Sequence, residues 1–110
     1  MSAFKLSRHF IFMHRALLLL RKIPRGRVTT YGELARATNS SPRAIGQAMR
    51  YNQHPELYPC YKVVASSGKL GGYGGCTCGG KINKKISLLK KDGIVIRKGK
   101  IDLEKYGHHF

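Results

Sequence analysis

Acidic side chains are what this sequence is short of. Five Asp and Glu stand against 21 Lys and Arg, a formal net charge of +16 over 110 residues. Self-repulsion on that scale works against a compact state unless a polyanion is close. Nucleic acid is the first such partner, because phosphate contacts drive affinity through counterion release; an anionic membrane surface is the second. Long apolar runs are also missing. Ala16–Leu20 is far too short to cross a bilayer, and no small-residue cleavage site marks it as a signal peptide. Only three cysteines are present, an odd count from which no disulfide framework follows. A reducing, intracellular setting is therefore expected, cytoplasm or nucleoid, or nucleus in a eukaryote. There is no internal repeat, no low-complexity tract and no linker long enough to split domains. What remains is 42% hydrophobic and 110 residues long, enough for one domain with one modest core.

The apolar spacing predicts a helix from Phe10 to Lys22, with Phe10, Met13, Leu17 and Leu20 on one face. Ile23-Pro24-Arg25-Gly26 ends it, and Arg27–Thr30 is a short extended link. Thr30 followed by Glu33 has capping-box spacing and opens a second helix, Tyr31–Thr38, with Leu34 and Ala35 inward. Asn39-Ser40-Ser41-Pro42 breaks the chain, and Ser41-Pro42 reads as N-cap and first-turn proline of a third helix ending near Tyr51. That helix turns Ala44, Ile45, Ala48 and Met49 to one face and Arg43, Gln47 and Arg50 outward. Two short helices joined by a tight turn, the second bearing small and basic residues, read as a helix-turn-helix; an ordinary helical hairpin is the plain alternative.

Pro59-Cys60-Tyr61-Lys62-Val63-Val64 follows a loop. The valines favour a buried strand and the proline restrains the backbone just ahead of the sulfur. On this stretch alone Cys60 reads first as core filling, since a free cysteine packs like a small hydrophobe. Gly71-Gly72-Tyr73-Gly74-Gly75 is a loop whose glycines permit close approach to a ligand. Cys76-Thr77-Cys78 is a lone C-x-C, a weak metal signal, and no metal is assigned to it. Ile86–Lys91 reads as a helix stopped by Asp92-Gly93. The segment from Ile94 to Lys100 reads as a small hairpin, and His108-His109 as a frayed end.

In order and spacing, Val28-Thr29-Thr30-Tyr31-Gly32-Glu33-Leu34-Ala35, Arg43–Asn52, Pro59–Val64, Ser67–Tyr73 and Leu88–Gly93 together resemble the O6-alkylguanine-DNA alkyltransferases, or methylated-DNA–protein-cysteine methyltransferases. The resemblance covers roughly residues 10–96 and implies their C-terminal catalytic and DNA-binding domain alone. The implied fold is mostly α (α+β): one winged-helix-like domain over residues 1–110, with a helix-turn-helix, a short active-site strand and turn, and a small C-terminal hairpin. The implied function is DNA repair by a single-turnover methyltransferase. It would bind double-stranded DNA as a monomer, with no cofactor and no membrane partner. A guanine alkylated at O6, or by extension a thymine alkylated at O4, leaves the stack, and Cys60 takes the alkyl group irreversibly.

Carried over by motif, Tyr31 presses on the phosphate beside the target and Arg43 enters the vacated stack. Ala44, Gln47 and Arg50 complete the DNA-contacting face of a helix laid in the minor groove. Asn52 braces the turn before the cysteine, and Met49, Asn52, Val63, Tyr73 and Gly74 surround the guanine. The pattern departs in two places, one of them a Gly/Cys-rich insertion, Cys76 to Gly80, beside the pocket loop. At the other, Tyr61 stands where the family has a histidine, and Asp92 where it has a glutamate. An ordinary thiol is only slightly ionised at neutral pH and a phenol is a poor base. The expectation is a Tyr61–Asp92 relay, or a thiol activated by the charge of Lys62, whose plain role is a phosphate or surface contact. A lesion-binding protein of the alkyltransferase-like kind, without transfer, and a plain helix-turn-helix regulator with a core cysteine are the alternatives.

Overall fold

The computed structural model describes residues 8–71 and 80–110. Five helices and two two-stranded sheets follow one another within them: α1 (Arg8–Leu20), β1 (Thr29–Thr30), α2 (Tyr31–Thr38), α3 (Pro42–Arg50), a 3₁₀ turn (Cys60–Lys62), β2 (Val63–Val64), α4 (Gly80–Lys91), β3 (Ile96–Arg97), β4 (Lys100–Ile101) and α5 (Leu103–Tyr106). This is the helix-rich α+β class the sequence predicts.

The caps explain the helix-turn-helix. The Thr30 hydroxyl accepts from the Glu33 N–H at 3.0 Å and opens α2. Asn39, at φ 54°, closes it in the left-handed conformation that asparagine tolerates. The Ser41 hydroxyl accepts from the Ala44 N–H at 3.2 Å and opens α3, with Pro42 in the first turn. α3 packs on α2 and α1.

Two valines divide the interior. β2 pairs in parallel with β1, Val63 opposite Thr29 and Val64 opposite Thr30. Neighbouring strand residues point to opposite faces. Val63 therefore enters one apolar cluster, with Leu20, Leu34, Ile45, Ala48 and Cys60, and Val64 enters another, with Val28, Leu89, Ile94, Ile101 and Tyr106. Both valines are fully buried, each burial stabilising by roughly 1.5–3 kcal/mol. The two-residue strand is thus pinned from both sides, and it fixes the position of the sulfur three residues upstream.

Several expectations change. The cysteine segment is not a strand up to the valines: Cys60–Lys62 is a 3₁₀ turn closed by Val63 N–H to Cys60 O, and pairing begins only at Val63. α1 runs from Arg8 to Leu20 rather than from Phe10 to Lys22. α4 begins at Gly80, six residues before the predicted start. The predicted hairpin is present as β3–β4. At its back Gly68, at φ 88°, comes so close to the Ile101 carbonyl that an added Cβ would sit 2.6 Å from its oxygen.

The C-terminal residues are held, not frayed. The His108 N–H donates to Val28 O at 2.7 Å, and the Thr29 hydroxyl donates to His108 O at 3.2 Å. The Phe110 N–H donates to Glu33 Oε2 at 2.7 Å, while Arg36 Nη2 donates to Phe110 O at 2.7 Å.

Candidate functional site

Cys60 sits where α1, α2, α3 and β2 converge. It is 7% exposed and belongs to the same cluster as Ala48 and Met49 of α3 and Val63 of β2, with the half-buried Tyr31 packed against it. Its backbone is set by the Cys60 N–H, which donates to Tyr58 O at 2.7 Å. The preceding loop is tied by Asn52, whose side-chain N–H donates to Tyr58 O at 2.8 Å and whose Oδ1 accepts from the His54 N–H at 3.0 Å. Asn52 therefore links the end of α3 to the residues that carry the sulfur.

Two proton-bearing groups stand within charge reach of that sulfur. Burial raises the Tyr31 phenol above its ordinary value, and the negative charge of Cys60 raises it further. Lys85, on α4, is fully buried and donates to Val63 O at 2.7 Å and to Leu70 O at 2.6 Å. Burial pulls its ammonium down to about 8, against the opposing pull of the Cys60 charge. Gly71, at φ 71°, lies close over the Tyr31 ring; a Cβ there would be 3.3 Å from ring carbon Cε2.

Tyr61 and Cys60 are adjacent in the chain, yet the Tyr61 ring packs against the other cluster. Its hydroxyl donates to Asp92 Oδ2 at 2.9 Å. Lys62 is not a surface or phosphate contact. It is 6% exposed, donates to Ile23 O and Pro24 O at 3.2 Å each, and lies 3.6 Å from Asp92 Oδ2. Arg43, Gln47 and Arg50 are exposed on α3, Ala44 is half-buried beside them, and Met49 faces inward. Tyr73, Gly74, Cys76 and Cys78 lie outside the described residues. Among the described residues, no three of His, Cys, Asp and Glu come together as a metal-holding group, and no helix is long and apolar enough to cross a membrane.

Lys85 escaped the sequence reading. Its only signal was positional: with Ile82 and Leu89 it completes a stripe at helical spacing, in a stretch crowded with other lysines.

Residues 11–94 match the family described as 6-O-methylguanine DNA methyltransferase, DNA binding domain. The chain belongs to this family. Among relatives of the methyltransferase family, a bifunctional methyltransferase/endonuclease of Picrophilus torridus is 48% identical over 90 residues, covering 80% of this chain and 28% of that protein. The crystal structure of the O6-methylguanine-DNA methyltransferase from Pyrococcus kodakaraensis strain KOD1 aligns with TM-score 0.66 at 42% identity, covering 76% of this chain and 46% of that one. The S. pombe ATL in complex with DNA aligns with TM-score 0.76 at 26% identity, covering 94% of this chain and 100% of that one. The chain spans about a third of the length of the curated methyltransferases it matches first.

Proposed function

We propose that this protein repairs DNA by accepting the alkyl group of O6-alkylguanine on Cys60. The supporting observation is the setting of that thiol: nearly enclosed, on the turn that the Asn52-tied loop leads into from α3, with Tyr31 and the buried Lys85 within charge reach, in a chain of the methyltransferase family. In the reaction the Cys60 thiolate forms a bond to the alkyl carbon as the bond from that carbon to O6 breaks. The electron pair leaves with guanine, which takes up a proton. The product is a thioether on sulfur and a normal guanine, so each molecule acts once.

The chain's own residues take definite parts. α3 presents Arg43, Gln47 and Arg50 to duplex DNA, and Arg43 fills the space of the extruded base. Tyr31 holds the rotated nucleotide from the start of α2. Met49 and Val63 back the sulfur, Asn52 fixes the turn, and Tyr73 and Gly74 close on the guanine. A buried ammonium beside a thiol favours the thiolate, so Lys85 takes the part expected of Lys62. Tyr61 and Asp92 form the hydrogen-bonded pair through which the thiol proton is passed. The working unit is a monomer inside the cell.

Incubation with duplex DNA carrying O6-methylguanine, followed by intact mass and peptide mapping, tests this. A gain of one methyl group on Cys60 is the expected result. Tight lesion binding without that gain supports a second reading, recognition without transfer. The fit to ATL over its whole length and the tyrosine at position 61 favour that reading. No preference for the lesion overturns both.

A further inference from the structure

The excess positive charge is not on the recognition helix. Residues 29–57, which include α2 and α3, hold three arginines against Glu33 and Glu56. Residues 80–110 hold eight lysines and one arginine against three carboxylates, and residues 21–27 add four cations and no carboxylate. The fold joins these last two segments. Arg25 Nη2 donates to Lys91 O at 3.1 Å and Arg27 Nη1 donates to Lys105 O at 2.8 Å. Arg21 and Lys84 line one cleft of about 600 Å³, with Glu56 as the carboxylate on its wall.

All six of these cationic side chains are exposed. Among the described residues, none of them pairs with a carboxylate; the ion pairs are Arg36–Glu33, Lys62–Asp92, His54–Glu56 and His109–Glu33. Arg25 and Arg27 are anchored on carbonyl oxygens, which hold a guanidinium in place without cancelling its charge. Uncompensated like charges held side by side oppose folding, and a polyanion relieves them.

We propose that the face made by residues 21–27, α4 and α5 binds the phosphate backbone of a second stretch of duplex DNA while α3 holds the first. The helices of the two surfaces pack on different apolar clusters, with Ile23 of the 21–27 segment reaching into the first. α3 packs into the cluster of Leu34, Ile45 and Cys60, whereas α4 and α5 contribute Leu89 and Tyr106 to the other. A membrane is the poorer partner, since interfacial binding wants an apolar stripe beside the cations. Among the described residues the exposed large apolar side chains, Leu18, Tyr51, Leu57 and Val95, are spread over four segments, and of these Leu57 alone lines the cleft with Arg21 and Lys84. The inference goes beyond the alkyl-acceptor reading and does not depend on Cys60.

The test uses the full chain and undamaged DNA. An immobilised duplex is loaded with protein, and capture of a second, fluorescent duplex is measured. Wild type is expected to bridge the two. The triple variant Arg21→Gln, Lys84→Gln, Lys91→Gln is expected to hold one duplex and lose capture of the other by about tenfold or more, with the slope of log affinity against log salt reduced by about 2–3. The charge-keeping triple Arg21→Lys, Lys84→Arg, Lys91→Arg is expected to bridge like wild type, which separates charge loss from misfolding. Failure of wild type to capture a second duplex overturns the proposal. So does bridging that survives in the glutamine triple, the mark of protein self-association, and so does capture of phosphatidylglycerol vesicles in place of DNA. Methyl gain on Cys60 is read separately by mass, so either reading can fail alone.

Discussion

At the scale of single residues the site turns on which groups can bear charge beside a thiol. Tyr61 donates to Asp92, and that carboxylate also stands 3.6 Å from Lys62. Removing the phenol oxygen with Tyr61→Phe takes one charge-assisted hydrogen bond from Asp92, a loss of about 1–2 kcal/mol in chemical unfolding. If the pair also carries the thiol proton, single-turnover methyl transfer slows and its pH profile moves; a purely structural pair leaves the profile in place. Lys85 offers a sharper reading. Its proton is lost near 8 in the folded protein, against an ordinary value of 10.5. Between those two values the unfolded chain holds more protons, so this group makes stability rise with pH. Below that window the full cost of the buried ammonium is present. The Lys85→Met variant leaves Val63 O and Leu70 O without their donor and is expected to be less stable than wild type. The gap should widen by about 1 kcal/mol per pH unit within the window, as measured by denaturant unfolding at pH 8, 9 and 9.5. A constant gap means that Lys85 titrates normally.

At the scale of elements, legibility in the sequence followed the local signals. α2 and α3 were readable because Thr30, Ser41 and Pro42 are start signals whose bonds form within one turn. The end of α4 was readable from Asp92-Gly93, but its start was not, because Gly80-Lys81-Ile82-Asn83 carries lysine in the first turn, where the helix dipole disfavours it. The 3₁₀ turn at Cys60 was hidden by the strand preference of its two valines; tertiary placement of Val63 and Val64 in separate clusters decides where pairing starts. The clamp on α2 was invisible for a different reason, since it joins residues more than 70 positions apart. In it Glu33 accepts from Arg36 at 3.0 and 2.6 Å and from the Phe110 N–H. The Arg36 hydrogen bonds, with help from the Phe110 N–H, hold the Glu33 carboxyl down at about 2. A depressed carboxyl contributes stability above its ordinary value of 4.5 and loses it as pH falls toward 2. Glu33→Gln is therefore expected to lower the thermal midpoint at neutral pH and to flatten its fall between pH 4.5 and 2. A parallel acid transition in the variant would remove the clamp from the account.

At the scale of the whole molecule, two opposite salt effects are built into one charge distribution. The described residues show only two ion pairs that do not depend on a protonated histidine, Arg36–Glu33 and Lys62–Asp92, and the second is largely shielded from solvent. Against them stands a net charge of +16, with most of the cations on exposed positions. Salt largely screens exposed charges that lie farther apart than a Debye length, about 10 Å at 0.1 M. Here it weakens far more repulsion than attraction. The DNA-free protein is accordingly expected to gain stability when salt is raised from low to physiological strength. The gain should be about 1 kcal/mol, or about 4–8 °C in thermal midpoint for a domain of this size. Duplex DNA at low salt should give the same protection by supplying the counter-charge directly, and that protection should fade as salt displaces the phosphates. Scanning calorimetry across a salt series, with and without undamaged duplex, measures both trends. A midpoint that falls with salt in the DNA-free protein would mean that attraction between its charges outweighs their repulsion, and the basic face would then have no folding cost for DNA to relieve.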